Sequence, residues 1–415
     1  MASISIKSIF QDFWPGACTE LSVLYSSLHW SSIVENVRKM LMCRDPLNGY
    51  AEYICPCCCE KKKVAFTCKS RFCTSCGKVY IDKWVDKTVK DIFDVPHRHL
   101  VFTIPRQLRD VIFMDRSIIK IMTDCASRAT VEALQIKGTD SIPGILTVVH
   151  TFGRDLKFNP HVHMLMTEGG LTSDNRWIDI PFLPYGLLRK KWQYHLLTEL
   201  KAKLTKTMEN SRFINFLFKK NTKGFYVNGE SKMTSARYAA GYIGRYMARP
   251  ALAEHKIIRY DGKTVTFWYI DHTTKRKVVK TLEAKDFIRL LIDHIPLKGF
   301  KMVRHYGLYG RRSKTTSMQI LQVCKRFVQM SFEFVTNFTH SLSWRQRMIK
   351  SFGNDPLLCS KCKEEMLLWK IWHPQYGIIF DLSRDGPFLE ENKNSQENHF
   401  ENERKRHIQL ALFPA

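Results

Sequence analysis

An α+β layer fold, preceded by a small cysteine-rich metal-binding region, is what this sequence predicts. Three observations lead there. Stretches of helical and strand periodicity alternate at irregular lengths, with hairpin-like strand pairs among the helices. Seven of the 13 cysteines crowd between Cys55 and Cys76. With 44% hydrophobic and 25% charged residues in 415, the chain is globular and long enough for two or three domains.

Residues 1–50 are read as mostly helical, with Ile33, Val37, Met40 and Leu41 at helical spacing. Residues 50–80 are short, polar and cysteine-rich, with no core of their own. Helical spacing returns at Ile81, Trp84, Val85, Val89 and Ile92. HLVFTIP is a strand ended by Pro105, and a long helix is expected from about Leu108 to Gln135. GILTVVHTF (144–152) and HVHMLMT (161–167) are two strands, closed by Gly169 and Gly170. A basic amphipathic helix fits 186–209 and a short strand 224–228. Residues 234–249 form a helix capped by Thr234 or Ser235 and stopped by Pro250. TVTFWYID and KVVKTL make a hairpin, KDFIRLLIDHI a helix, and FKMVRHYGLY a strand. A helical segment and a polar tail complete the chain. The chain divides into segments 1–93, which hold the cysteine-rich region, 94–312, which hold the alternating strands and helices, and 313–415, a C-terminal helical and CxxC region.

Charge narrows the partner. Lys and Arg total 65 against 39 Asp and Glu, a net +26. So basic a balance calls for a polyanion, and nucleic acid is the commonest. No apolar run reaches the roughly 18 residues that a membrane span needs, so no membrane partner is expected. The opening MASISIKSIFQDFW carries an acid and lacks a long apolar core, which argues against a signal peptide and for a cytoplasmic protein.

The cysteine cluster is the strongest local signal. Cys55/Cys58 and Cys73/Cys76 are both CxxC pairs, with 14 residues between them. Each pair can present two thiolates from a tight turn, and two pairs complete the tetrahedral shell of a structural Zn²⁺. Cys43 and Cys68 are additional candidate ligands. Basic flanking residues, Lys61 to Lys63 among them, suit a phosphate backbone. Cys359/Cys362 is one pair without a second; His373 is a candidate further ligand, and the pair alone is weak evidence of a metal site.

His161-Val162-His163 places two imidazoles on one face of a strand, because residues i and i+2 point the same way. His150 lies on the preceding strand, 11 residues before His161. If the strands pair, three imidazoles reach one divalent ion and leave positions open for a phosphate oxygen and water. Tyr238, Tyr242 and Tyr246 make one helical stripe. Such a stripe is usually core, yet Gly241 and Gly244 interrupt the helix at roughly 1 kcal/mol each, and Arg245 and Arg249 accompany the tyrosines. Guanidinium groups there would neutralise phosphate, which makes Arg245 and Arg249 candidate DNA contacts. Tyrosine needs a cation or polarised target nearby to act as a nucleophile.

Taken together, these motifs resemble the IS ninety-one family of insertion-sequence transposases, rolling-circle enzymes of the HUH endonuclease superfamily, over roughly residues 40–312. The resemblance runs through CPCCCEKKKVAFTCKSRFCTSC, VPHRHLVFTIPRQLR, HTFGRDLKFNPHVHMLMTEGGL, YIGRYMARP and FIRLLIDHIPLKGFKMVRHYGLYG. It implies a central antiparallel sheet with helices on one side, the His161–His163 strand in the middle, and the tyrosine helix beside it. It implies Mg²⁺ or Mn²⁺ held by His161, His163 and a third ligand, for which His150 is favoured. Tyr242 or Tyr246 would attack single-stranded DNA at the ends of a mobile element or at its target, giving a 5′-phosphotyrosine. Asn159 stands where many family members carry histidine. Three other readings compete: a zinc-containing DNA-binding regulator without chemistry, a tyrosine recombinase using Arg304-His305 without metal, and a relaxase or replication initiator with the same chemistry.

Overall fold

The computed structural model describes residues 4–135, 141–174, 176–180, 182–247, 250–271, 273–310 and 343–385. The chain divides into two compact units: residues 1–34 with 80–340, and residues 35–79 with 341–415. The three consecutive segments expected from sequence are therefore arranged differently. The cysteine-rich region shares a unit with the C-terminal region, and the first helix belongs with the larger unit. Among the described residues no helix is long and apolar enough to cross a membrane.

The N-terminal region is helical as expected, with α1 over Ile6–Ser22 and α2 over Ser27–Leu41. Ser5 caps α1 reciprocally with Ser8. The smaller unit is built on β1 (Tyr50–Ile54) and β2 (Lys61–Ala65). Its core residues, Ala51, Ile371 and Ile379, come from both ends of the chain. α3 follows over Thr74–Asp91, opening seven residues before the periodicity that signalled it.

The larger unit is organised around an antiparallel sheet. Its strands are β3 (His97–Phe102), β4 (Ser141–Phe152), β5 (Phe158–Thr172), β6 (Trp177–Asp179), β7 (Val227–Met233) and β11 (Val303–Gly307). The order is β11-β4-β5-β3-β7, with β6 pairing β5, so the strand that carries His161 and His163 is central. Both faces of β4 and β5 are buried, which explains why their apolar runs are nearly continuous. The expected long helix over Leu108–Gln135 is two helices, α4 (Gln107–Met114) and α5 (Ile118–Gln135). Asp115 leaves helical geometry at φ −119°, ψ 91°. Its carboxylate accepts from the Ser117 amide at 2.9 Å and hydroxyl at 2.6 Å, which restarts the chain as a new helix. The basic helix likewise ends at Lys203 in α6 (Tyr185–Lys203), and Thr207 caps α7 (Met208–Lys220).

One face of the sheet packs its Val149, Val162 and Met164 against apolar residues of α5 and α6, with Trp192 fully buried. The other face, with Leu146, Val148 and Leu165, packs against α8 (Ala236–Met247) and the end of α3. Helices thus cover both faces rather than one. A separate sheet joins β8 (Ile257–Tyr260), β9 (Thr264–Ile270) and β10 (Lys277–Glu283) in the order β10-β9-β8. It leads into α9 (Ala284–Ile292), which packs on α1.

Beyond residue 342 the described chain resumes with α10 (Trp344–Phe352), β12 (Leu367–His373), β13 (Gly377–Asp381) and α11 (Leu382–Asp385). The smaller unit's sheet has the order β13-β12-β1-β2. Gly49 closes its turn at φ 108°, where a side chain would meet the Phe66 ring at 2.7 Å.

Candidate active site and metal centres

Strand register assembles the histidines. Pairing of β4 with β5 sets His150 opposite His161 and Val148 opposite His163. By strand alternation the three imidazoles share one face, that of Val148 and Leu165. Their ligand atoms lie within 4.8 Å of one another. Ring centroids are 4.7 Å apart for His150 and His163, 4.8 Å for His161 and His163, and 5.5 Å for His150 and His161.

One nitrogen of each ring is anchored. His161 Nδ1 donates to the Asn159 carbonyl at 2.7 Å, so Nε2 carries its lone pair. The anchor is backbone, so it does not depend on the side chain at position 159. His150 Nε2 donates to the Tyr246 carbonyl. His163 Nδ1 bonds His99 Nε2 at 2.9 Å. Such outer bonds orient imidazoles that ligate a metal. Burial lowers the pKa of His161, and the nearby Arg109 guanidinium and His99 add to the effect. The ring is thereby kept in the neutral form that donates a lone pair.

Helix α8 brings the tyrosines onto this face. Ser235 Oγ caps it by accepting from the Tyr238 amide. Ala239, Ala240 and Ile243 are buried against the sheet. Gly244 lets the helix sit close, for a Cβ there would fall 2.4 Å from Val85 Cγ2 of α3, whereas Gly241 faces open space. The Tyr246 ring lies 4.1 Å from His163 and 5.5 Å from His150. Tyr246 Oη donates to Tyr242 Oη at 3.1 Å. Tyr242 packs edge-on to His99 at 5.0 Å. Tyr238, one turn out, is exposed. Of the two candidate DNA-contacting arginines, Arg245 is described only as part of the α8 backbone, and Arg249 lies outside the described residues.

Two residues of this site were not anticipated. His99 stacks on His163 at 5.1 Å and 8°. The signal for it was present: His97-Arg98-His99 repeats the i, i+2 spacing on the neighbouring strand. His97 is structural, bonded to the Val95 carbonyl and to Tyr309 Oη at 2.7 Å each. Arg109 is half-buried on α4, and no periodicity connects it to His161. Tyr306, in another motif of unassigned role, donates to Asp124 at 2.7 Å and holds β11 to α5.

The cysteines form two tetrads rather than one. Cys43, Cys68, Cys73 and Cys76 lie together, as do Cys55, Cys58, Cys359 and Cys362. The expected set Cys55, Cys58, Cys73 and Cys76 is therefore divided between them. Cys55 and Cys58 occupy the turn after β1, and β1 pairs with β12, which follows the Cys359–Cys362 turn. Cys73 and Cys76 open α3 beside Cys43, which follows α2. In the first tetrad Cys76 Sγ lies 3.6 Å from both Cys43 Sγ and Cys68 Sγ. The sulfur contact with Cys68 lowers the Cys43 pKa, and the reciprocal contact raises that of Cys68. Four thiols in mutual contact are a donor set suited to Zn²⁺, with no position left for chemistry.

Comparisons with known proteins match the two regions to two different family descriptions. Residues 144–316, which hold all three histidines and both tyrosines, match a family described as "Putative transposase". Residues 9–104, which hold the first tetrad whole, match a "Transposase zinc-binding domain", so zinc is this region's metal. The chain is 29% identical to a "Transposase for insertion sequence element IS801" of Pseudomonas savastanoi pv. phaseolicola, over 80% of this chain and 82% of that one. It is 23% identical to a "Putative transposase y4qJ" of Sinorhizobium fredii, over 75% and 82%. No solved structure matches.

Proposed function

The chain belongs to the IS ninety-one family of transposases, with that family's N-terminal zinc-binding domain, and from this premise we propose that it nicks and rejoins single-stranded DNA by tyrosine transesterification. Its partner is DNA and its activity is strand cleavage and transfer. The finer reading is rolling-circle transposition of an insertion sequence, by a cytoplasmic, nucleoid-associated enzyme.

One observation carries the reading: the Tyr242–Tyr246 hydroxyl pair beside the His150, His161, His163 triad, with the Tyr246 ring 4.1 Å from His163. The three histidines would hold a divalent ion, Mn²⁺ or Mg²⁺, which supplies Lewis-acid polarisation of a scissile phosphate. Their nitrogen donors suit Mn²⁺ better than the oxygen-preferring Mg²⁺. Tyr246 or Tyr242 loses its proton and its Oη bonds to phosphorus. The bond from phosphorus to the 3′ oxygen breaks, and that oxygen leaves as a free hydroxyl once protonated. The 5′-phosphotyrosine keeps the number of phosphoester bonds constant, so no nucleotide cofactor is consumed. The second tyrosine serves a second strand transfer without release. Arg109 is suited to neutralise phosphate at the His161 end.

The test is a covalent-adduct assay. The protein is incubated with single-stranded oligonucleotides from the element's ends, with Mn²⁺ or EDTA, and resolved on a denaturing gel. A metal-dependent adduct, absent in the Tyr242→Phe/Tyr246→Phe double variant, is the expected result. Tight binding without adduct on any strand would favour a non-catalytic zinc regulator. A metal-independent 3′-phosphotyrosine would favour recombinase chemistry.

A further inference from the structure

Both matched family spans omit Cys359 and Cys362. We propose that Cys55, Cys58, Cys359 and Cys362 form a second structural zinc site, a metal clip that fastens the C-terminal hairpin onto the N-terminal ribbon.

The sulfur geometry is the first argument. Cys55 Sγ lies 3.4 Å from Cys362 Sγ, and Cys58 Sγ lies 3.5 Å from Cys359 Sγ and 3.7 Å from Cys362 Sγ. A tetrahedral site with Zn–S bonds of about 2.3 Å has sulfur–sulfur edges of about 3.8 Å. A disulfide requires about 2.05 Å, and all four cysteines are free. Cys55 and Cys359 are buried, while Cys58 and Cys362 are exposed, so an ion has a route in.

The second argument is independent. The two CxxC turns are the same structure built twice. Cys55-Pro-Cys57-Cys58-Cys59-Glu60 and Cys359-Ser-Lys361-Cys362-Lys363-Glu364 share the pattern CxxCxE. In the first, the Cys55 amide donates to the Glu60 carbonyl at 2.9 Å and the Cys59 amide to the Cys55 carbonyl at 3.0 Å. In the second, the Cys359 amide donates to the Glu364 carbonyl at 2.9 Å and the Lys363 amide to the Cys359 carbonyl at 3.1 Å. Both turns place a non-glycine residue in the left-handed region, Cys59 at φ 58° and Lys363 at φ 63°. That conformation costs energy in each turn. Its repetition orients two pairs of thiols toward one point, which is the arrangement four-thiolate zinc turns require.

The surroundings complete the argument. Lys361 pairs with Glu60 at 2.6 Å across the two turns. Lys62 Nζ donates to the Pro356 carbonyl at 2.8 Å. The ligands from the two turns are more than 300 residues apart in sequence. A clip at this point closes a very long loop, where the entropic cost of closure is large. Zinc thus determines whether the C-terminal hairpin stays on β1. The inference does not rest on the tyrosine chemistry.

The test is metal content of the full-length chain purified without added zinc chelator, measured by mass spectrometry. Two zinc ions per chain are expected. Cys359→Ser/Cys362→Ser is expected to retain one, and Cys57→Ser, outside both tetrads, two. A single zinc in the wild type, or two in the double variant, overturns the proposal. Should the double variant lose both ions through misfolding, Cys362→His decides. After cobalt exchange it must still bind two ions, with half of the absorption changed from four-sulfur to three-sulfur, one-nitrogen character. An unchanged cobalt spectrum overturns the second site.

Discussion

The cysteine tetrads and the histidine triad solve opposite problems with similar means. The first tetrad surrounds its point in space with four sulfurs from turns and helix ends, and the apolar cluster of Ala51, Ile371 and Ile379 in the same unit is small. There the ligands stand in for the packing that a small core lacks. The triad instead sits on strands already buried on both faces. Apolar clusters pack both faces of that sheet, so on the proposed function three histidine ligands would leave room for substrate. A closed site stabilises; an open site on a rigid support is available for chemistry.

Exchanging one candidate ligand at each place tests the contrast most severely. His163→Ala is expected to reduce DNA cleavage by a factor of about 10³, with zinc content and DNA affinity nearly unchanged. Cys73→Ser is expected to lose one zinc and hydrogen-exchange protection across β1 and β2. Full cleavage by His163→Ala in the presence of EDTA would remove the triad from the mechanism.

A smaller effect sharpens the comparison through buried histidines of the larger unit. His97 and His294 are buried, which lowers the pKa of each to about 4. Asp94 and Glu168 act against this at His97, and Asp155 at His294, where Arg116 reinforces it. The unfolded chain binds these protons near pH 6.5, so the folded state binds fewer between 6.5 and 4. The stability from neutral burial is present above about pH 6.5 and falls with pH through that window, by about 3 kcal/mol per histidine. Denaturant melts at pH 7 and pH 4.5 would read it. His97→Gln should flatten the slope, and an unaltered slope would reassign it to other groups.

The smallest effect concerns the fit of α8. Gly244→Ala meets Val85 and should destabilise the larger unit by about 1–3 kcal/mol, while slowing adduct formation by displacing Tyr242 and Tyr246. Gly241→Ala faces open space and should be neutral or stabilising by up to about 1 kcal/mol. Equal effects at the two positions would mean that the close approach at Gly244 does not set the helix's place.

Much of the triad was legible in sequence because its logic is local. His161 and His163 share a strand face by alternation alone, and Tyr242 and Tyr246 share a helix face by their spacing. His99 is as legible in HRH by spacing, but that motif carries no chemistry of its own. Arg109 is not legible in this way, since its proximity to His161 depends on where α4 packs.

The cysteines mark the limit. The residues themselves mark Cys55/Cys58 and Cys73/Cys76 as candidate chelating turns, because a CxxC pair fixes two thiols within one local bend. Sequence alone does not determine which turns share an ion, for all three CxxC pairs carry the same local signal. That depends on which strands pair. The pairing of β1 with β12 sets Ile54 opposite Leu367, and this brings Cys359 and Cys362 to Cys55 and Cys58. Cys43, which belongs to no CxxC pair, completes the other tetrad with Cys68. A strand's partner is chosen by side-chain packing across the whole unit, and no window of neighbouring residues contains that information.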